Sequence, residues 1–529
     1  MVSAEGEHWH TLIHNGVAFP EPYKPKGLRV RFKGEEIELS PLAEEMAYAL
    51  AKKKGTRYFS DPVFLENFMK DFRAQVPELK DANFEDVDFS EFFELVEEEK
   101  LRKEALTKEE RKRLARERKE RREALKAIYG YAILDGRRVE VANWMVEPPG
   151  LFMGRGEHPL RGRWKPRITH EDVVINLSEG APIPDGNWKA VVHDRTGMWI
   201  AKWRDKLTGK MKYVWLHESS PLRQKRDRLK FEKARRLEKR IDRVRRLIEK
   251  GLRARDRKTR MVATVCYLID KLCVRVGDEK DENEADTVGA TTLRVEHVKF
   301  DGGSIKFDFL GKDGVRWMKE IPIGDADPNF IRNLKEFMSG KDAGDQIFDG
   351  INSKRVNEFL SKGMKGLTAK VFRTYHATKV VKEYLDGLDL DDGEEEFVKL
   401  YHVKMANLLA AIKCNHKKAV PKNFEERLEK KLRRLEELEA KLKEVKRERS
   451  LNSIKRRIRK LKLQIDLMLK TKEYNLGTSL KNYIDPRVLV AWAYRVGLNP
   501  EKIYPKSLRR KFKWAFRRPV LAKTRTSDL

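Results

Sequence analysis

The chain has 529 residues, enough for more than one hydrophobic core, so two or three folded units are expected. It carries 115 Lys and Arg against 84 Asp and Glu, and the formal charge of +31 favours a polyanionic partner, DNA or RNA before anionic membrane. No apolar run reaches the length of a bilayer span, and the first residues are acidic and His-rich, unlike a signal peptide. An intracellular protein is therefore predicted.

The first part of the chain, to about residue 210, is predicted to mix strands and helices. Residues 30–39 alternate apolar and polar side chains around a Lys-Gly turn, which predicts a β-hairpin. Ser40 followed by Pro41 predicts a helix start, and a capping box at Thr107 and Glu110 predicts a charged helix ending near Tyr129. Short apolar runs and turns over residues 132–215 predict a compact β-containing unit.

The middle of the chain is predicted to be mostly helical. Residues 222–252 suggest one long basic helix whose inner stripe runs from Leu229 to Ile248. Such charge runs are usually solvated surface, but a single sign of charge favours a face toward DNA. An apolar helix is expected over 261–276, a hairpin over 299–319 and further helices over 328–411.

Two apolar seams then indicate a helical arm. Apolar residues recur every three or four positions from Leu428 to Val445 and again from Ile454 to Met468. The polar segment 450–453 separates the seams, which predicts an antiparallel coiled-coil hairpin. The remaining residues, 475–529, are expected to form a separate C-terminal piece.

Cofactor chemistry is not indicated by the sequence. The cysteines have no C-x-x-C spacing, so each is interpreted as a small buried hydrophobe. Asp follows Gly311-Lys312 and no glycine stands five residues before, which argues against a P-loop. The carboxylates of 389–393 lack the alternate spacing of a calcium loop and predict a polar connection between helices. No cofactor and no metal are predicted.

Eight segments, in order, resemble the signatures of the type IB DNA topoisomerases of eukaryotes and archaea. They are EPPGLFMGRGEHP (147–159), IDKLCVRVGDEK (269–280), ADTVG (285–289), LRVEH (293–297), FDFLGKD (307–313), LTAKVFRTYHA (367–377), CNHKKA (414–419) and LGTSLKNYIDPR (476–487). The resemblance runs from about Ile13 to Trp514.

On the positions that match the family's motif, the resemblance implies five catalytic residues: Arg275, Lys312, Arg373, His416 and Tyr483. The phenol of Tyr483 would attack a phosphodiester and form a 3′-phosphotyrosine. Guanidinium and imidazole donors would stabilise the extra negative charge, and Lys312 would protonate the departing 5′-oxygen. Because the tyrosyl ester retains the bond energy, resealing would need no ATP.

The resemblance also implies contacts to double-stranded DNA at Arg155, His158, Lys280, Thr287, Asp313, Thr478 and Asn482. Three of these, Arg155, Asp313 and Asn482, match positions at which camptothecin-type poisons dock in the family. No nucleotide and no membrane partner are expected, and a monomer is predicted.

The chain departs from the family pattern in a few places. Met153 replaces a frequent Arg, and Asp278 replaces an Asn one turn after the first catalytic arginine. Leu160 replaces a lysine that helps to latch the clamp opposite Glu284, and Arg161 or Arg163 is considered as a substitute. The short arm and the absence of a long basic leading tail favour an archaeal source. A chromosome-associated location is expected, in the cytoplasm or nucleoid of an archaeon or in the nucleus of a eukaryote.

The resulting expectation is a multidomain α+β protein that closes as a two-lobed clamp on DNA. The predicted parts are an N-terminal lobe (1–212), a mostly helical, recombinase-like catalytic domain (213–420), a coiled-coil linker (421–474) and a small helical C-terminal domain (475–529). The expected activity is relaxation of positive and negative supercoils. A tyrosine recombinase is the nearest alternative, although recombinases usually have H-x-x-R where this chain has Lys370-Val-Phe-Arg373. A non-catalytic architectural DNA-binding protein is the other.

Overall fold

The computed structural model describes residues 6–278 and 287–516, without the side chain of Asp313. The described chain is α+β and multidomain, as predicted. It divides into one unit up to Arg223 and another from Gln224 onwards. Within these described ranges no helix is long and apolar enough to cross a membrane. The two-lobed clamp and the domain boundaries stay predictions.

In its described residues, the first unit combines short strands with four helices. Its strands are β1 (Leu12–His14), β2 (Arg29–Phe32), β3 (Glu35–Glu38), β4 (Val87–Asp88), β5 (Tyr131–Leu134), β6 (Arg137–Ala142), β7 (Gly150–Leu151), β8 (Trp164–Lys165), β9 (Val173–Asn176), β10 (Ala190–Val192), β11 (Trp199–Arg204) and β12 (Met211–Leu216). Its helices are α1 (Pro41–Ala51), α2 (Pro62–Arg73), α3 (Ser90–Ala105) and α4 (Lys108–Tyr129).

Two cores stabilise this unit. A seven-stranded sheet in the order β1-β5-β6-β12-β11-β9-β10 buries tryptophan and aliphatic side chains such as Trp9, Ile200 and Trp203. The hairpin β2-β3, predicted from its alternating pattern, pairs with β4 and packs with α1 to α3 around a group of phenylalanines. The sequence prediction of a β-containing unit is confirmed.

The predicted helix starts in this unit are confirmed by their caps. The Ser40 hydroxyl accepts a hydrogen bond from the Ala43 amide at 3.2 Å, and Pro41 occupies the first turn of α1. At the start of α4, Thr107 and Glu110 form the reciprocal capping box, and no residue of α4 is fully buried. Helix α4 is therefore charged and mostly exposed to solvent.

The elements that follow are α5 (Pro221–Glu238), α6 (Ile241–Leu252), α7 (Arg257–Leu272), β13 (Val298–Phe300), β14 (Ser304–Gly311), β15 (Val315–Pro322), α8 (Pro328–Met338), α9 (Ser353–Gly363), α10 (Ala369–Asp386), α11 (Glu396–Lys413), α12 (Phe424–Glu444), α13 (Glu448–Lys470), α14 (Leu476–Asn482), α15 (Pro486–Arg495) and α16 (Lys506–Lys511). Residues 389–393 lie in the connection between α10 and α11, as predicted.

The prediction of one helix over 222–252 is wrong, because α5 and α6 are separate. Arg240 leaves the helical region with φ −127°, and the two halves bury in different cores. Phe231 belongs to the core that includes α10 and α15, whereas Val244 belongs to the core that includes α7 and the three-stranded sheet. Leu229, expected on the buried stripe, is 52% exposed because Phe231 takes the core position instead.

Two further boundaries differ from the sequence predictions. Helix α7 ends at Leu272 rather than near residue 276, because Cys273 adopts a left-handed conformation with φ 56°. The hairpin expected over 299–319 is instead part of the three-stranded antiparallel sheet β13-β14-β15. The β14–β15 turn at 312–314 carries Lys312, as the hairpin prediction required.

Helices α12 and α13 pack against each other, with Leu438 and Ile458 buried between them and Lys462 pairing with Glu439 at 2.8 Å. The break predicted at 450–453 is wrong, since those residues form the first turns of α13 and the chain turns at 445–447 instead. Val445 and Arg447 have extended conformations there. The coiled-coil geometry stays a prediction.

Candidate active site

The second unit contains a cavity of about 170 Å³ at the end of the β14–β15 hairpin. Four of the five predicted catalytic residues line it, namely Arg275, Lys312, Arg373 and His416. They come from four separate segments: the loop after α7, the turn between β14 and β15, the first turns of α10 and the loop after α11. Tertiary structure thus gathers cationic and imidazole donors at a single point.

Arg373 forms the buried floor of this cavity, with 4% of its surface exposed. Its Nη1 donates to the carbonyl of Cys273, and its Nη2 donates to the carbonyl of Cys414 at 2.9 Å and to Nε2 of His416 at 3.3 Å. Among the described residues its buried Nε has no hydrogen-bond partner. Arg373 also hydrogen-bonds Tyr483, so the Nε–H is the donor that remains for an incoming anion.

His416 is a neutral, oriented ring. Burial, together with the positive charges of Arg373, Arg275 and Lys319, lowers its pKa to about 3. Because a guanidinium can only donate, Nε2 accepts from Arg373 and the ring proton lies on Nδ1. That proton is donated to the buried hydroxyl of Ser479, whose Oγ lies 2.6 Å from Nδ1.

Tyr483 lies against this group. Its ring centroid is 4.9 Å from that of His416 and 5.1 Å from the Arg373 guanidinium carbon. Burial alone would raise the pKa of the phenol, but the charges and hydrogen bonds of Arg373 and Arg275 outweigh it, so the pKa falls below 10.0. The phenol is 7% exposed and is therefore held in place before any substrate arrives.

The backbone around Tyr483 is anchored from α10. The Thr378 hydroxyl donates to the Tyr483 carbonyl at 3.2 Å and accepts from the Asp485 amide at 3.0 Å. Asp485 then caps α15 by accepting from the Arg487 amide at 3.0 Å, ahead of Pro486 in the first turn. The predicted cap after the tyrosine is confirmed.

The loop that carries Arg275 crosses a second loop at a pair of glycines. The amides of Ala290 and Thr291 donate to the carbonyls of Arg275 and Val276, both at 2.8 Å. A Cβ on Gly289 would lie 2.5 Å from backbone atoms of Gly277. Only glycine permits this approach, and it sets the direction in which the Arg275 side chain leaves the loop.

The predicted DNA-binding residues are divided between the units. Thr478 lines the cavity, and Asn482 lies one turn further along α14 with its Nδ2 donating to the Thr478 carbonyl at 3.2 Å. Half-buried Thr287 lies on the loop that leads to Gly289. Arg155 and His158 belong to the first unit, where the His158 ring packs edge-on against Phe152 at 4.8 Å.

Lys280, Glu284 and the side chain of Asp313 lie outside the described residues. The two arginines considered as substitutes for the latch lysine already have partners within the first unit. Arg161 pairs with Asp61 at 2.5 Å, and Arg163 pairs with Asp71 at 2.8 Å. Both arginines are therefore already engaged in ion pairs within the first unit.

Three residues at the site were missed by the sequence analysis: Thr378, Ser479 and Lys319. Thr378 holds the backbone of Tyr483, and Ser479 holds the imidazole of His416, through hydrogen bonds to residues 105 and 63 positions away in the chain. Lys319 binds two helix ends behind the cavity. Ser479 does fall within the LGTSLKNYIDPR segment, which was the only available signal.

All three cysteines are buried and free, as predicted. Over residues 6–278 and 287–516, no group of three or more His, Cys, Asp or Glu side chains is arranged to hold a metal ion.

Three family models match successive parts of this chain. The model for the catalytic core of eukaryotic DNA topoisomerase I matches residues 219–449, that for its DNA-binding fragment matches 7–216, and a C-terminal topoisomerase domain matches 455–520. DNA topoisomerase 1 of Homo sapiens is 36% identical over 551 residues, which cover 97% of this chain and 71% of that protein.

Two other relatives are longer. DNA topoisomerase 1 beta of Arabidopsis thaliana is 39% identical, and DNA topoisomerase 1 of Drosophila melanogaster is 38% identical, each over 97% of this chain. The chain spans 59% and 54% of their lengths. These named relatives are eukaryotic and give no support to an archaeal source. The chain belongs to the eukaryotic DNA topoisomerase I family.

Proposed function

We propose that this protein relaxes positively and negatively supercoiled DNA by the type IB reaction, with Tyr483 as the nucleophile. The observation that carries the proposal is the convergence of Arg275, Arg373 and His416 beside the phenol of Tyr483. Two guanidinium groups at one cavity supply the positive charge that a phosphoryl-transfer transition state needs.

In the proposed cleavage step, the Tyr483 oxygen attacks the phosphorus while the bond to the 5′-oxygen breaks. The lowered pKa of the phenol raises the fraction of phenolate, the stronger nucleophile. Lys312, exposed at the hairpin turn and lining the same cavity, protonates the leaving 5′-oxygen. The products are a 3′-phosphotyrosine and a free 5′-hydroxyl.

His416 has to change partner to donate to the phosphate. Its Nε2 accepts from Arg373 in the free protein, so this nitrogen has no proton to offer. A bound phosphodiester adds negative charge, which opposes the cationic contribution that lowers the imidazole pKa. We therefore propose that the phosphate takes the Arg373 Nη2 donor and that His416 becomes protonated as the substrate binds.

Resealing reverses these steps after the free strand has rotated. Because the phosphotyrosyl ester keeps the energy of the original phosphodiester, the proposed cycle needs no ATP. Because the arginines neutralise the phosphate, we propose that it also proceeds without a divalent metal. The proposed partner is double-stranded DNA, bound by a monomer, and the site of action is chromosomal DNA.

Plasmid relaxation tests the proposal. Supercoiled plasmid should relax in EDTA without ATP, and Tyr483→Phe should abolish relaxation, while Tyr494→Phe, a change of the same size in the same C-terminal piece, should not. A 5′-labelled strand should become attached to the protein through its new 3′ end. Attachment of the downstream fragment instead, or relaxation by Tyr483→Phe at the parental rate, would refute the assignment.

Camptothecin sensitivity is a separate proposal that rests on Arg155, Asp313 and Asn482. Camptothecin should increase the amount of nicked covalent complex, and Asn482→Ala should reduce this increase while relaxation without drug continues. An unchanged level of covalent complex with drug present would remove the proposal.

A further inference from the structure

We propose that Lys319 is a positioning residue that ties the hairpin carrying Lys312 to the two helix ends that hold Arg373 and His416. The inference rests on the proposed function, because it concerns the geometry of that same site. Lys319 is half-buried on β15 and is not part of the cavity lining. It would therefore act on the reaction only through the groups it holds.

The contacts of Lys319 are made with the last residues of two helices. Its Nζ donates to the carbonyl of Leu272, where α7 ends, at 3.1 Å and to the carbonyl of Lys413, where α11 ends, at 2.6 Å. The last carbonyls of a helix have no partner within it and carry the negative end of the helix dipole. An ammonium group between two such ends is a favourable arrangement.

Arg373 bridges the same two helix ends one residue further on. Its acceptors are the carbonyls of Cys273 and Cys414, which directly follow Leu272 and Lys413 in the chain. Two cations from different elements, β15 and α10, therefore fasten α7 to α11 in parallel. Loss of either one removes the donor from two carbonyl groups at the base of the cavity.

The β14–β15 hairpin connects Lys319 to Lys312, the proposed general acid. Strands β14 and β15 are paired without interruption from Ser304 opposite Pro322 to Gly311 opposite Val315, so the hairpin is a continuous ladder from Lys319 to the turn at Lys312. A further link nearby is the Asn415 Nδ2, which donates to the Arg316 carbonyl at 3.1 Å. The position of Lys312 relative to Arg373 thus depends on the hydrogen bonds that Lys319 makes.

The charge state of Lys319 gives this anchor a pH dependence. Burial, together with the nearby positive charges of Lys413 and Arg373, lowers its pKa from 10.5 to about 8, although the thiols of Cys273 and Cys414 oppose the shift. Below pH 8 the ammonium makes charge-assisted hydrogen bonds to the two carbonyls. Above it the neutral amine is a weaker donor, so the anchor loosens.

Stability and activity should respond to this titration with opposite signs. Between pH 8 and 10.5 the unfolded chain holds a proton on Lys319 that the folded chain has released. The contribution of Lys319 to stability therefore rises with pH over this window. A loosened anchor lowers the cleavage rate over the same window, which a purely structural role would not do.

The test compares three variants by single-turnover cleavage of a nicked suicide duplex between pH 6.5 and 9.5, with the DNA Kd measured separately. Lys319→Met removes the donors at similar volume, and we expect about a tenfold to hundredfold slower cleavage at neutral pH with an unchanged Kd. Lys319→Arg keeps the charge and should remain active above pH 8, where the parental rate falls. Lys306→Met, on the exposed face of the same sheet, should match the parent.

Parental cleavage rates for Lys319→Met across this range would overturn the proposal. So would a loss that appears only in Kd, because that would make Lys319 a DNA contact rather than a positioning residue. Should Lys319→Met fail to fold, Lys319→Arg still decides, since an unchanged decline above pH 8 in that variant contradicts the anchor. If the parent itself forms no covalent complex, the proposed function fails instead.

Discussion

At the scale of single residues, the hydroxyl of Tyr483 is surrounded by positive charge. No carboxylate base contacts it among the described residues; its pKa is lowered, against burial, by the guanidinium groups of Arg373 and Arg275. A cationic environment favours phenolate and would also stabilise the negative charge of a phosphoryl-transfer transition state. Arg373 and Arg275 can therefore both lower the pKa of the phenol and stabilise the transition state.

The Tyr483 phenol should titrate below pH 10. Its pKa can be measured as the difference in absorbance at about 295 nm, the phenolate band, between the parent and Tyr483→Phe over a pH series. Arg275→Met removes one of the charges that lower the pKa, so the midpoint should move to higher pH. An unchanged midpoint in that variant would contradict the role assigned to Arg275.

Ser479 should control the orientation of His416. Ser479→Ala leaves the buried Nδ1–H without its acceptor, which costs about 1–3 kcal/mol. We expect lower stability in urea unfolding and slower single-turnover cleavage, while DNA affinity stays close to that of the parent. Thr471→Ala, which removes a hydroxyl from a half-buried site outside the cavity, is the control. Equal cleavage rates for Ser479→Ala and the parent would show that this hydrogen bond does not matter.

At the scale of secondary-structure elements, most side chains predicted to be catalytic lie where elements end rather than within them. Arg275 and His416 follow the ends of α7 and α11, Lys312 is at a strand turn, and Tyr483 lies between α14 and α15. Only Arg373 is within a helix. Loops between rigid elements can bring donors to one point, but their own backbones need fixing by specific contacts.

The crossing of two loops at Gly277 and Gly289 is such a contact. Gly289→Ala would place its Cβ within 2.5 Å of Gly277 backbone atoms, so one loop has to shift. We expect a loss of cleavage of at least about tenfold, because Arg275 moves with its loop. Gly303→Ala, where a Cβ meets nothing within 4 Å, is the matched control. Parental activity in Gly289→Ala would mean that the loop can relax without moving Arg275.

At the scale of the whole molecule, the formal charge of +31 should dominate affinity for DNA. Each phosphate that a Lys or Arg neutralises releases condensed counterions, so log K should fall linearly with log salt. Much of this charge lies on solvated helices such as α4, which has no buried residue.

A single substitution should therefore be able to abolish DNA cleavage without weakening DNA binding. Tyr483→Phe should bind duplex DNA with the same steep salt dependence as the parent although it cannot cleave, because removing one hydroxyl leaves the phosphate contacts in place. Fluorescence anisotropy with a labelled duplex at several salt concentrations measures this slope. Affinity that is insensitive to salt would contradict an electrostatic origin of binding.

The sequence by itself predicted the residues of the candidate site. Caps such as Ser40 and Asp485 depend on neighbours within a few positions, and the motifs around Arg275, Arg373 and Tyr483 identified the family before any fold was known. Local signals of this kind are complete within a short stretch of chain, so they need no tertiary information.

Only the tertiary structure decided how those residues are held and charged. The neutral ring of His416, the shared helix ends of Lys319 and Arg373, and the separation of α5 from α6 all depend on contacts between distant segments. Burial and neighbouring charge set the pKa of a side chain. The break between α5 and α6 occurs because the two helices pack into different cores. Neither can be computed from the order of residues alone.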